Sequence, residues 1–427
     1  MQQRKLDGWF KPRSYRHFDF PQSFKSAKKI ACNPMLVQKH QFLPLVRFVE
    51  KRRRYRTDNT NLSIPRSKRA TVVSVKEREI RYASHIDSAI YQRYAYLLKE
   101  PYDLFLKSAG IDDAVIGYRS GKGSNVDMAA AAFAEIAARG DVTAICSDIT
   151  DFFPSISHKI LKEGLQRVLR VSRLPQDWYA VFRSLTKFSS LDLEELAKVE
   201  SFNPKKPPFP LVQNINQALK RCRRANVIIS NSKKCEIPQG TPLSAVAANI
   251  SMHRFDEALQ AFVVSCGGLY LRYSDDVLLL VPPAMEKKAI VQLERVSLAN
   301  ELSISKEKTE IARFSVASGT QMTDRPINYL GFRFDGQNTS LRPSTLSRYY
   351  RRMTYAARGA AKGAGKKGKP ASQTFKRSLF RDFTHLGRRN FYSYSKRADA
   401  KMPSSIIKRQ LRRHFKILLR KIEARGK

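Results

Sequence analysis

Leu269-Tyr-Leu-Arg-Tyr-Ser-Asp-Asp-Val-Leu-Leu-Leu-Val281 is the stretch that decides how this chain folds. Aromatic and branched residues flank two adjacent aspartates, Asp275 and Asp276, so the run reads as two strands of a hairpin with both carboxylates at its tip. Like charges on neighbouring residues repel, and an apolar setting raises the cost of ionising both. A divalent cation or a basic partner is the natural compensation. A second acidic stretch, Ala144-Ile-Cys-Ser-Asp-Ile-Thr-Asp-Phe-Phe-Pro-Ser-Ile156, delivers Asp148 at the end of a strand-like run and Asp151 three residues on, as the chain turns. Together the two stretches point to a two-metal phosphoryl-transfer site.

The rest of the composition agrees with that chemistry. At 427 residues and 42% hydrophobic content the chain has room for two or three domains with ordinary cores. A formal charge of +42 calls for a polyanionic partner, nucleic acid first, bound with strong salt dependence. No apolar run approaches the roughly 20 residues of a spanning helix, and Met1-Gln-Gln-Arg-Lys-Leu-Asp lacks the apolar stretch of a secretory signal. A cytoplasmic chain without a membrane partner is the expectation. Its five cysteines (Cys32, Cys146, Cys222, Cys235, Cys266) are scattered, with no C-x-x-C pair, so neither a disulfide framework nor a zinc knuckle is indicated. Metal chemistry must then use carboxylates, which favours magnesium, with manganese as the alternative, over zinc.

Periodicity gives an order of elements. Residues 1 to about 60 are basic and aromatic, ending in Lys51-Arg-Arg-Arg-Tyr-Arg56, and read as helices and loops that touch a partner. Leu62 to Val75 reads as two short strands around a basic turn, followed by a helical stretch through Leu98. A Gly-rich basic loop, Ile116-Gly-Tyr-Arg-Ser-Gly-Lys-Gly-Ser124, precedes an alanine-rich helix over 126–139. Next come a strand (142–148), a helix (about 157–170), a long helical insertion (about 171–235), a helix (about 243–264), the hairpin (269–281), a helix (about 284–301) and a strand. That order resembles a split βαβ plan, with helices on one face of an antiparallel sheet and acidic strand ends at its open edge.

The last 86 residues, Arg342 to Lys427, hold 26 Lys/Arg against Asp382, Asp399 and Glu423, a net of +23. Such a segment is a phosphate-binding surface. Arg358 to Pro370 reads as a flexible Gly/Lys loop, and Leu411, Phe415, Leu418 and Ile422 recur at helical spacing, so the final helix packs one face and offers arginines on the other. Three acids are too few for an appended carboxylate-rich nuclease.

Taken in chain order, Asp148, Ile237-Pro-Gln-Gly-Thr-Pro-Leu-Ser-Ala-Val-Ala-Ala-Asn249 and Ser274-Asp275-Asp276 resemble successive palm motifs of reverse transcriptases. Ile64-Pro-Arg-Ser-Lys-Arg69 and Gly117-Tyr-Arg-Ser-Gly-Lys-Gly123 look like the fingers motifs upstream. Leu302-Ser-Ile-Ser-Lys-Glu-Lys-Thr309 and Asn328-Tyr-Leu-Gly-Phe332 look like the last two palm motifs downstream. The resemblance runs from about Leu62 to Phe334. It implies an α+β right-hand polymerase: an N-terminal extension and fingers (1–141), a ferredoxin-like palm of antiparallel sheet plus helices (142–334) and a helical basic thumb (335–427).

The resemblance also implies roles. Asp148 and Asp275, with the Ile149 backbone, would ligate two magnesium ions about 3.5–4 Å apart, with Asp276 as further ligand or support. Asp151 and the backbone around Phe152 would lie beside the triphosphate, and Arg66 and Arg69 would neutralise its β- and γ-phosphates. Phe153 stands where a bulky aromatic of the family closes the space of a ribose 2′-hydroxyl, which favours deoxynucleotides. Gln239 and Gly240 look like the loop against the templating pair, where glycine permits close backbone approach. Lys308 matches a lysine proposed to protonate the pyrophosphate leaving group. The partners implied are an RNA template, a DNA primer or product, and dNTPs.

Departures narrow the branch. Ser274 occupies a place more often filled by Ala or Met, no Val-Thr-Gly follows Leu330-Gly-Phe332 as in retron enzymes, and no Cys-rich endonuclease motif is present. The chain is similar to the bacterial antiphage defence-associated (unknown-group) reverse transcriptases. That similarity implies a noncoding RNA as template and a second polymerase subunit or a homo-oligomer. A template-independent or protein-primed polymerase would share these residues. A maturase-like RNA-binding protein would need the basic surface without the carboxylates.

Overall fold

The computed structural model describes residues 8–57, 63, 65, 71–119, 121–366, 368, 376–402 and 404–423. Along them the strands are β1 (Leu45–Thr57), β2 (Thr71–Tyr82), β3 (Val142–Asp148), β4 (Ser189–Asp192), β5 (Ile228–Ser230), β6 (Leu269–Tyr273), β7 (Asp276–Val281), β8 (Glu310–Ala317), β9 (Thr320–Thr323), β10 (Ile327–Tyr329), β11 (Phe332–Phe334) and β12 (Thr339–Leu341). Two compact units result. One comprises Met1–Asp112, Thr150–Glu257 and Ser297–Ser303, and the other Asp113–Ile149, Ala258–Val296 and Ile304–Lys427.

The first unit is built on a sheet ordered β2-β1-β4-β5. Its long hairpin runs from Val46 opposite Tyr82 to Thr57 opposite Thr71. This corrects the sequence reading, which placed helices and loops up to residue 60 and two short strands between Leu62 and Val75. A run of cations hides strand periodicity, yet here glutamates across the ladder offset it, as Glu79 does for Arg47 (3.0 Å) and Glu77 for Lys51 (3.1 Å). The insertion over 171–235 is not wholly helical either. Helices Gln176–Thr186, Leu193–Val199 and Ile215–Arg224 alternate with β4 and β5, and β4 joins β1 in parallel. That pairing is tertiary, so no local period announces it. Phe18, Val46, Leu191, Leu196, Leu211 and Cys222 form the core beside this sheet.

In the second unit an all-antiparallel sheet is ordered β6-β7-β3-β8-β9. Helices follow both β3 and β7 in the chain, and β3 lies between β7 and β8, which is the ferredoxin-like order. Helix Asn125–Arg139 buries Val126, Ala129, Phe133 and Ile136 against it, together with the small sheet β10-β11-β12.

Helix Pro343–Gly365 packs Tyr349, Met353 and Ala357 on Leu379, Phe383, Leu418 and Ile422. The expected flexible loop from Arg358 is therefore helical as far as Gly365, because alanines 356, 357, 360, 361 and 364 offset the interspersed glycines. Two further helices are broken where one was expected. Met252 separates Ser244–Ser251 from His253–Ser265, and the last segment splits into Ser405–Leu411 and His414–Glu423. Leu411 consequently joins the core of the sheets while Leu418 and Ile422 join the helical one. No helix among the described residues is long and apolar enough to cross a membrane.

Candidate active site

The edge of the second unit's sheet gathers the acidic residues. Asp148 ends β3 and Asp276 begins β7, and the two are directly paired across the ladder. Opposed residues share a sheet face with Cβ atoms about 4.5–5.5 Å apart. Asp275 lies in the turn between β6 and β7, and its carbonyl accepts the Ile149 N–H at 3.1 Å. The Asp148 carbonyl in turn accepts from the Ser305 N–H at 3.0 Å, so backbone bonds tie the end of β3 to the β6–β7 turn and to the segment ahead of β8.

The turn is strained and then braced. Ser274 has φ +62°, a left-handed conformation costly for a side chain other than glycine. Arg272, fully buried, donates from Nη1 to the Ser274 carbonyl at 3.1 Å. Backbone bonds from Arg272 N–H to Ala114 (2.7 Å) and from Ile116 N–H to Arg272 (3.0 Å) lay the 114–117 segment alongside β6. Gly117 fits because it lacks a side chain: a Cβ there would stand 2.8 Å from the Ser274 nitrogen.

Electrostatics follow from this crowding. Burial raises the Asp276 carboxyl, the charges of Asp275 and Asp148 raise it further, and Arg342 and Lys308 oppose the rise, leaving it pushed up to about 7. The Lys308 ammonium is ion-paired with Asp148 Oδ2. Arg342 Nη2 approaches Glu310 Oε1 at 3.9 Å, while Glu310 Oε2 accepts from the Asn328 N–H (3.1 Å) and side-chain amide (2.8 Å). Among the described residues no three acid, His or Cys side chains are already closed around a point as ligands. The donor set nevertheless suits magnesium or manganese. Hard carboxylate oxygens meet at one edge, where burial first and then mutual repulsion push the Asp276 carboxyl up, and a divalent cation relieves both.

The first unit carries the other expected residues. Asp151 (φ +45°) starts the short helix Phe152–Ser155, with Phe152 buried and its ring 5.6 Å from that of Phe153. The Phe153 carbonyl accepts from the Ile237 N–H at 3.1 Å, which sets it beside the Gln239–Gly240 loop. Gln239 accepts the Arg81 N–H at 2.9 Å, and Gly240, at φ +128°, leaves only 2.6 Å between a would-be Cβ and the Arg81 carbonyl oxygen. Arg66 and Arg69 lie outside the described residues.

The structure thus brings Asp148, Ile149, Asp275, Asp276 and Lys308 together, and separately Phe153, Gln239 and Gly240. Sequence reasoning passed over Arg272 and Arg342. Arg272 could have been noticed as a cation between apolar strand residues, whereas Arg342 was merged into the charge of the tail.

An antiparallel ferredoxin-like sheet with opposed carboxylates at its edge is the palm of a right-hand polymerase. Residues 99–334, more than half of the chain, match the family model described as reverse transcriptase (RNA-dependent DNA polymerase). The chain belongs to that family. Among solved structures it is similar to apo telomerase from Candida tropicalis, at 13% identity and TM-score 0.41, over 83% of this chain and 56% of that one. Telomerase from Candida albicans in complex with the TWJ fragment of telomeric RNA is similar at 11% identity and TM-score 0.40, over 91% of this chain and 62% of that one. The chain thus spans about three-fifths of the length of these structures. No curated protein matches in sequence.

Proposed function

We propose that the chain is an RNA-directed DNA polymerase that adds deoxynucleotides to a 3′-hydroxyl. The observation that carries this reading is the opposition of Asp148 and Asp276 beside Asp275, with a carboxyl driven up to about 7. Asp148, Asp275 and the Ile149 carbonyl would hold the cations, and Asp276 would complete or support the set. Two magnesium ions held there would lower the pKa of the primer 3′-hydroxyl and neutralise charge on the triphosphate. Lys308 donates a proton to the departing pyrophosphate, leaving Asp148 as it does so. Phe153 screens the sugar for a missing 2′-hydroxyl, Asp151 and the Phe152 backbone border the triphosphate, and Arg66 and Arg69 neutralise its far end. Gln239 and Gly240 bear on the templating base. Arg272 and Gly117 set the position of Asp275 without touching substrate.

In this reading residues 1–141 act as extension and fingers, 142–334 as palm and 335–427 as thumb, whose net charge of +22 grips the duplex. The finer assignment, a cytoplasmic bacterial enzyme copying a partner noncoding RNA in antiphage defence, with a second subunit or a homo-oligomer, rests on the motif resemblance alone. Primer extension on matched RNA and DNA templates, with an untemplated control, tests the activity. Template-dependent dNTP incorporation on RNA supports it, and incorporation indifferent to template overturns it. Sequencing the nucleic acid that co-purifies tests the finer assignment: a single recurrent RNA supports it, and a mixture of cellular RNAs contradicts it.

A further inference from the structure

A cavity of about 660 Å³ opens in the first unit between the segment 38–42 and helix Gln176–Thr186. Neither wall belongs to the polymerase motifs, and residues 38–42 precede the family match. The volume is that of a small-ligand site. One wall is built in advance: buried Asp87 takes His40 Nε2 at 2.6 Å and the Leu43 N–H at 3.0 Å. The Phe42 ring stacks on Tyr91 at 5.5 Å, and the Tyr91 hydroxyl donates to Ser184 Oγ on the facing helix at 3.0 Å. The other wall is a helical stripe in which Gln176, Tyr179 and Arg183 recur at spacings of three and four.

The chemistry of the lining is selective. No acidic side chain lines it, so an anion is favoured. Arg183 and Lys187 are cations of the lining, and Lys187 Nζ also donates to the carbonyls of Ser232 (3.2 Å) and Lys233 (2.7 Å), so Arg183 is the one with its guanidinium uncommitted to those carbonyls. Tyr179 is 47% exposed, with Lys162 Nζ over its ring at 5.9 Å from the centroid and Phe182 tilted beside it at 6.3 Å, so a base would stack on the side away from Lys162. Gln38, Gln41 and Gln176 bring three carboxamides, each able to donate and accept along a base edge. A nucleotide joins an anion to a flat, polar-edged ring and so matches this lining. We propose that this cavity holds one nucleotide of a single strand passing over the first unit, its base stacked on Tyr179 and its phosphate on Arg183. The proposal rests on the polymerase reading only in choosing nucleic acid as the polyanion.

The test uses the full chain without metal or nucleotides, so its outcome is independent of catalysis. Twelve-residue single strands carrying 4-thiouridine (RNA) or 4-thiothymidine (DNA) are irradiated with the protein and the adducts mapped by mass spectrometry. An adduct within residues 38–42 or 176–187 is expected, saturating with strand concentration. Tyr179→Ala should require about tenfold more strand to form it, and Tyr179→Phe should behave as wild type. An adduct with RNA alone assigns the site to RNA, and one with both strands assigns it to either. No adduct there with either strand at saturation, or an unshifted curve for Tyr179→Ala, overturns the proposal. Should that variant fail to fold, the wild-type map still decides.

Discussion

Asp148 and Asp276 stand directly opposite one another across β3 and β7. Burial penalises charge at Asp276, and two carboxylates on one sheet face with Asp275 adjoining cannot all ionise cheaply either. The Asp276 carboxyl at about 7, against 3.8 for an ordinary aspartate, is the direct result.

A dependence of stability on pH follows. Because its folded pKa is raised, Asp276 holds a proton between those two values that the unfolded chain has lost. The stability this confers is complete below about pH 4 and disappears as pH rises through 7. Without divalent cations, Asp276→Asn should be more stable than wild type at pH 8, by on the order of 2–4 kcal/mol, and equal to it near pH 4. Magnesium should narrow the gap at pH 8. Urea melts at the two pH values check this, and a gap independent of pH would contradict it.

Lys308 supplies the cation at Asp148 Oδ2. Lys308→Met should slow single-turnover incorporation by roughly 10²–10⁴-fold. Lys308→Arg restores charge but no transferable proton, so it should recover nucleotide affinity and little rate. A less than twofold effect of either change would mark Lys308 as a surface cation.

Gly117→Ala presses a methyl group to 2.8 Å from the Ser274 backbone nitrogen, where no flexible side chain can give way. We expect a stability loss of about 1–3 kcal/mol and a rate loss of about 10²-fold from the displaced Asp275. Thermal melts beside extension rates separate the two effects. Unchanged rates would show that the turn tolerates the shift.

Phe153→Ala should relax sugar selection. The ratio of kcat/KM for dNTP over rNTP should fall by at least about tenfold, chiefly through faster rNTP use, since loss of one packed contact is worth about 1–3 kcal/mol. Equal losses for both substrates would assign Phe153 to packing alone.

How much of this was legible in sequence depends on the range over which each signal acts. The β6–β7 hairpin and β3 carry their own apolar pattern and end on acids, so Asp148, Asp275 and Asp276 could be placed from local reading. Helix Asn125–Arg139 likewise declared itself through its alanines. β1 did not, because its cations obscure the period and its stabilising glutamates lie on β2. Strand β4 exists through parallel pairing with a segment 145 residues earlier (Leu45 opposite Ser190), beyond any local period. Arg272 and Gly117 were hidden for a related reason. Their importance comes from a backbone approach between Ala114–Gly117 and Arg272–Ser274 that only the fold creates.

The most direct measurement is nucleotide incorporation and RNA affinity in Asp275→Asn, taken side by side with wild type. If paired cations on this carboxylate edge carry the chemistry while phosphate contacts elsewhere carry binding, incorporation should vanish and affinity should stay within about twofold. Incorporation at the wild-type rate in that variant would contradict the account.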